Sequence, residues 1–113
     1  MSAEPNGLYK VVATDKAMLT IFEESAYYSA NGGPALAKRW ELEVTAAMDL
    51  LQRFPNRGMV ARFGSDATDV RRLLMRNFPY FVYYVVDDFI REVEVVYVIH
   101  TARNQDAVIK TLQ

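Results

Sequence analysis

Leu36, Trp40, Val44, Ala47, Leu51 and Phe54 step by 4, 4, 3, 4 and 3 residues, and no other pattern restricts the fold of this chain so tightly. That spacing keeps all six on one face of an α-helix, while Lys38, Glu41, Thr45, Asp49 and Gln52 occupy the others. Pro34 suits a first helical turn, and Pro55 disfavours helix at Phe54, so the helix is expected to end near there. A second helix precedes it. Thr14 can act as an N-cap with Asp15 in the positive first turn, and Met18, Ile21, Phe22 and Ser25 fall at i, i+3, i+4 and i+7 in a helix running to about Ala30. Asn31-Gly32-Gly33-Pro34 leaves so short a link that the two helices should form an antiparallel hairpin.

The period changes at Gly58. β-rich runs follow at about Met59–Phe63, Val70–Met75, Tyr80–Val86 and Glu92–His100, separated by Gly64-Ser65-Asp66, Asn77-Phe78-Pro79 and Asp87-Asp88. Turn residues between such runs predict consecutive antiparallel hairpins. The last two runs are apolar on both faces at their centres, as strands covered by helices would be. Ahead of the helices, Leu8 to Ala13 has the content of a short strand. Asn104 can cap a final short helix with Val108, Ile109 and Leu112 on its apolar edge. The expected order is β-α-α-β-β-β-β-α: an α+β fold with a helical hairpin on an antiparallel sheet of about four to five strands. Residues 1–113 show no linker and no repeat, which predicts one domain, with Met1 to Gly7 as a frayed leader.

Composition excludes several function classes. The chain has no cysteine, which removes disulfide frameworks, thiolate zinc sites and cysteine nucleophiles. Lys and Arg number 13 against 14 Asp and Glu, so bulk charge demands neither nucleic acid nor membrane. No apolar run reaches a membrane span, and the N-terminus lacks a basic and then apolar signal pattern, so a cytoplasmic location is expected. No glycine-rich phosphate loop, zinc spacing or nucleophile elbow occurs, and no cofactor or metal is expected.

What remains is an uneven placement of arginine. Arg57, Arg62, Arg71, Arg72 and Arg76 face only Asp66 and Asp69 in the same stretch. If 70–76 is a strand, Arg72, Leu74 and Arg76 share one face and Arg71, Leu73 and Met75 the other. Planar guanidinium groups suit carboxylates or phosphates, and solvated strand arginines also discourage edge pairing. His100, the only histidine, can be a general acid or base or a structural hydrogen-bonding residue. Glu23/Glu24 and Asp87/Asp88 are read as solvated pairs. Tyr80, Tyr83, Tyr84 and Tyr97 are read as half-buried packing residues rather than a base-stacking platform.

Val70-Arg71-Arg72-Leu73, Phe78-Pro79-Tyr80-Phe81-Val82-Tyr83-Tyr84 and Val98-Ile99-His100-Thr101-Ala102-Arg103, in that order behind a helical hairpin ending Phe54-Pro55-Asn56-Arg57-Gly58, resemble the RelE/ParE superfamily of bacterial toxins. The resemblance spans roughly Tyr9 to Arg103. It implies the toxin half of a type II toxin–antitoxin pair, held inactive in a hetero-oligomeric complex by a ParD-like antitoxin that folds on binding. Such a partner would bury an apolar face and set acids against arginines. Leu19, Tyr27 and Leu50 with Arg71, Arg72 and Arg76 are the expected docking residues.

The superfamily divides by activity. The RelE branch cleaves messenger RNA on the ribosome with several basic residues and a terminal tyrosine. Laid on that pattern, Arg72 and Arg103 match basic positions and Arg76 retains a nearby charge, with His100 available as acid or base. Leu74, Phe81 and Ile109 stand where a second base, a strand-opening arginine and the tyrosine would be. The ParE branch inhibits DNA gyrase and needs no catalytic set. The Phe78 to Tyr84 stretch and the Ile99 to Arg103 ending look closer to ParE. A third expectation is an inactive homologue that only binds antitoxin.

Overall fold

Between strand β1 (Lys10–Ala13) and helix α1 (Asp15–Gly32) stands one residue, Thr14, that fixes how the two are set. The computed structural model describes residues 7–62 and 69–107. Thr14 is extended (φ −66°, ψ 160°), and its Oγ1 accepts the Ala17 N–H at 3.1 Å as an N-cap should. The same hydroxyl donates to the Val96 carbonyl at 3.1 Å, while the Thr14 N–H donates to Val95 at 2.9 Å. Val96 is the extra residue of a β-bulge in strand β5 (Glu92–His100). One side chain thus caps the helix and clamps it to the sheet.

That clamp sets the rotation of α1. Ala17 and Ile21 are buried, with Tyr28 packed beside them. Of the expected stripe only Ile21 is core; Met18 and Phe22 face outward, Phe22 being 64% exposed. A methyl group at Ala17 lets the helix approach β5 closely, which the bulkier Met18 would prevent. Gly33, at φ +90°, ends α1 with its N–H on the Ser29 carbonyl and starts α2 (Pro34–Arg53). Helix α2 buries Ala37, Trp40, Ala47 and Leu51, and packs Leu36 and Val44 against the core, as their spacing predicts. Phe54 departs from that stripe because the helix stops at Arg53, leaving Phe54 as an exposed C-cap.

Strands β2 (Met59–Arg62), β3 (Val70–Leu74), β4 (Tyr80–Asp87) and β5 follow, and the sheet runs β1-β5-β4-β3-β2. It is mixed rather than antiparallel: β1 pairs parallel with β5. Parity explains this. Each connection between successive elements reverses the chain, and six reversals separate β1 from β5, so the two must run the same way. Leu73, Met75, Tyr80, Val82, Tyr84, Val93, Val95 and Val98 join the helices in one core. Phe81 and Tyr83 alternate with them on the opposite face of β4.

Trp40 is wholly buried where the hairpin meets the sheet. Its ring lies 4.7 Å from Tyr80, 5.4 Å from Phe78 and 5.6 Å from Tyr28, and its Nε1–H donates to the Ile21 carbonyl at 3.1 Å. The Tyr28 hydroxyl donates to Tyr80, whose own hydroxyl donates to Glu24, so Glu24 is bound rather than solvated. Asn104 Oδ1 accepts from Asp106 and Ala107 N–H groups at the start of a helical turn over 105–107. The expected leader up to Asn6, the Gly64-Ser65-Asp66 turn and the Val108, Ile109 and Leu112 edge lie outside the described residues. Among the described residues, no helix is long and apolar enough to cross a membrane.

Two outcomes follow from this packing. Trp40→Ala should cost about 3–5 kcal/mol in denaturant unfolding at neutral pH, the usual loss for a large buried aromatic ring. Stability should also fall on the alkaline side. Burial and the bond to Glu24 push the Tyr80 phenol well up, burial raises Tyr84, and the bond to Asp88 raises Tyr9. Below about pH 10 these phenols are protonated in both states and their contribution is fully present. Above it the unfolded chain ionises while the native chain holds its protons, so stability is lost as pH rises. Urea midpoints between neutral pH and about pH 11 measure it, with Tyr80→Phe flattening the decline.

Candidate functional site

Strand alternation sends Arg71 and Arg72 to opposite faces of β3. Arg71 lies on the helix side, where its guanidinium donates to the Gly58 carbonyl at 2.8 Å and to Asn56 at 3.3 Å. The Gly58 N–H donates to the Tyr84 hydroxyl at 2.8 Å. Only glycine fits there, because a Cβ would stand 2.6 Å from that hydroxyl and 2.7 Å from the Arg72 carbonyl oxygen. Arg71 and Tyr84 therefore tie the 56–58 segment to the sheet, and the tie places Arg57 and Met59 at the mouth of a groove.

Arg72 emerges on the other face and stacks over the Phe81 ring, 4.4 Å from its centroid. Arg76 follows the end of β3 between a buried Met75 and Asn77. Asn77 donates to Glu43 of α2 through both its backbone N–H and its side-chain amide, at 3.0 and 2.8 Å. The backbone on either side of Arg76 is fixed while its side chain is exposed. Together Arg57, Arg72 and Arg76 rim an open groove of about 830 Å³, with Leu50, Met59, Leu74 and Phe81 as its apolar part. Met59 and Leu74 are 73% and 58% exposed. Among the described residues no acid lines the groove, and the three guanidinium groups create a positive field over an apolar floor.

Three of the expected residues, Leu50, Arg72 and Arg76, thus converge. Leu19 and Tyr27 are exposed on α1 and line no part of the groove. His100 stands directly opposite Tyr80 on the helix side, its ring edge-on at 5.1 Å and its Nδ1 accepting the Ala102 N–H at 3.0 Å. Arg103 lines a separate depression of about 360 Å³ with Lys16 and Tyr97, where the Lys16 ammonium sits 5.1 Å over the Tyr97 ring. Arg57, counted among the clustered arginines, and Met59 both lie outside the expected docking set. The usable signal was Pro55-Asn56-Arg57-Gly58, a turn that returns the chain to the sheet edge with an arginine at its corner.

Comparison with known proteins agrees with this architecture. A solved structure described as the chromosomal ParDE TA system from P. aeruginosa is similar at a TM-score of 0.65 and 19% identity, covering 82% of this chain and 96% of that one. The archaeal RelE-RelB complex from Pyrococcus horikoshii OT3 is similar at a TM-score of 0.60 and 16% identity, covering 86% and 99% respectively. At these identities the likeness establishes the fold. No curated protein matches the sequence. The family model for the ParE toxin of the type II toxin-antitoxin system, parDE, matches residues 11–105, and the chain belongs to that family.

Proposed function

We propose that this ParE-type toxin arrests growth by inhibiting DNA gyrase and is neutralised by an antitoxin that folds into the arginine-rimmed groove. The observation that carries the first half is the chemistry of the groove. Among the described residues its ionisable lining is arginine alone. A guanidinium keeps its proton at any physiological pH, so it can steady negative charge but is a poor acceptor for the proton of a 2′-hydroxyl. Cleavage of RNA needs both functions within reach of one phosphodiester. Arg72 and Arg76 supply the cations, while His100 turns to the opposite face and Arg103 lines another depression. The groove is equipped for binding, which favours a target inhibited by association over one that is cut.

The second half rests on shape and charge. A disordered acidic segment that becomes an amphipathic helix or strand can lay apolar residues on Leu50, Met59 and Leu74 and carboxylates on Arg57, Arg72 and Arg76. Both structural neighbours carry toxin–antitoxin names, one a ParDE system and the other a RelE-RelB complex, which supports a partner of this kind. Arg71 acts here indirectly by holding the 56–58 segment. Gyrase works on DNA in the cytoplasm, and the toxin is read as acting there.

Purified chain added to gyrase and relaxed plasmid should abolish supercoiling while leaving a reconstituted translation reaction intact. Ribosome-dependent cutting of mRNA with unaffected gyrase would reverse the assignment. Inhibition of neither, by a folded chain that still binds antitoxin, would mark an inactive homologue. Arg57→Glu and Arg76→Glu should each weaken antitoxin binding by about tenfold or more, since like charges across an interface cost several kcal/mol. Titration calorimetry at two salt concentrations measures that loss, and unchanged affinity would move the antitoxin elsewhere.

A further inference from the structure

The most exposed large apolar side chain among the described residues is Phe89, at 96%, on the tip of the β4–β5 hairpin. It is held out rather than left loose. Asp87 Oδ1 accepts the N–H groups of Phe89 and Ile90 at 3.0 and 3.3 Å, an Asx turn that fixes the tip. On its far side Arg91 adopts a left-handed φ of +54°, which is uncommon for a residue with a side chain. Three contacts hold it there. Its guanidinium lies 5.0 Å over the Tyr9 ring and donates to the Gly7 carbonyl, and its own carbonyl accepts the Lys10 N–H at 3.0 Å. Tyr9 in turn donates to Asp88 at 2.7 Å. The ordering that an aromatic anchor would otherwise undergo on binding has already occurred in folding.

Charge says what such an anchor fits. Asp87 and Asp88 lead directly into Phe89, and Asp87 and Glu92 are opposed in register although both are acidic, Glu92 also facing Lys10 across β1. At the other end of β4 lies the groove with an apolar floor, the arginine rim and, among the described residues, no acid. Phe81 in the groove and Asp87 at the tip are six residues apart along one strand, roughly 20 Å, so the tip cannot fold back into its own groove. The complement of each end is present on the same molecule but out of its reach.

We propose that a second copy of this chain supplies it: two molecules pair antiparallel about a two-fold axis, each Phe89 entering the arginine-rimmed groove of the other beside Asp87 and Asp88. A two-fold arrangement makes both contacts at once and closes, whereas a single tip-in-groove contact would propagate into chains. The dimer rests on groove and tip geometry and on neither the gyrase nor the antitoxin reading. One groove cannot hold both occupants, so self-association and antitoxin binding would exclude each other, a consequence that does rest on the antitoxin reading.

Sedimentation velocity of the full chain from about 10 μM to about 1 mM, the range for small reversible interfaces, should show a salt-sensitive monomer–dimer equilibrium. Phe89→Ser and the double variant Arg57→Glu/Arg76→Glu should each weaken it at least tenfold, and mixing the two should restore part of it through the one intact contact. The chain has no cysteine, so Phe89→Cys and Leu74→Cys molecules report the contact directly. Under mild oxidation they should cross-link faster than Phe89→Cys with Leu19→Cys. A monomer throughout, a dimer untouched by Phe89→Ser, or equal cross-linking rates would overturn the proposal.

Discussion

The burial of Trp40 is the interaction on which the rest of this structure depends. One indole of α2 reaches the rest of the fold on two sides: α1 through the Ile21 carbonyl and the Tyr28 ring, and the sheet through Tyr80 with Phe78 just before it. Each ring pair adds about 0.5–1.5 kcal/mol beyond area burial. The indole N–H is satisfied within the core, so burial leaves no orphaned donor. Around it the polar atoms of Tyr28, Tyr80 and Glu24 form a chain leading outward. His100 is drawn into the same cluster, edge-on to Tyr80. A histidine used this way is a packing residue first.

Once the hairpin covers one face of the sheet, strand alternation decides what the other face can offer. Arg71 goes inward to anchor the loop and Arg72 outward to stack on Phe81. The same alternation that builds the core therefore sorts the arginines into a structural one and a surface one. Gly58 sits at the crossing point, too close to Tyr84 and Arg72 for any side chain. The groove is accordingly a rigid feature: its Arg57 side is fixed by a loop tied to the core, and its Arg76 side by the Asn77–Glu43 bonds.

Much of this was legible in the residues. The 4, 4, 3, 4, 3 spacing of α2 located Trp40, Ala47 and Leu51, because a helix with one buried face leaves a periodic record. Only Ile21 of the α1 stripe is core because Thr14 is also bound to a bulge in β5, a contact 82 residues away that no local period reports. The parallel β1–β5 pairing was implicit in the element order, since counting reversals gives the direction even when neighbours are unknown. In the site, alternation separated Arg71 from Arg72 correctly. The placement of Arg57 beside them depended on the Arg71–Gly58–Tyr84 tie, which joins segments that sequence spacing does not relate. Family resemblance carried what periodicity could not, namely that this arrangement belongs to toxins.

The groove and the chain's family together frame the central claim as a choice of target. Among the described residues the ionisable lining is guanidinium alone, which can recognise carboxylates or phosphates but is a poor proton acceptor for strand cleavage. Growth arrest would then come from a protein complex held in the wrong state, and the first process to stop identifies that complex. The most direct measurement is pulse-labelling of DNA and protein synthesis in bacteria after inducing the chain without its antitoxin. The account predicts that thymidine incorporation falls first while methionine incorporation continues; an early loss of methionine incorporation with DNA synthesis sustained would contradict it.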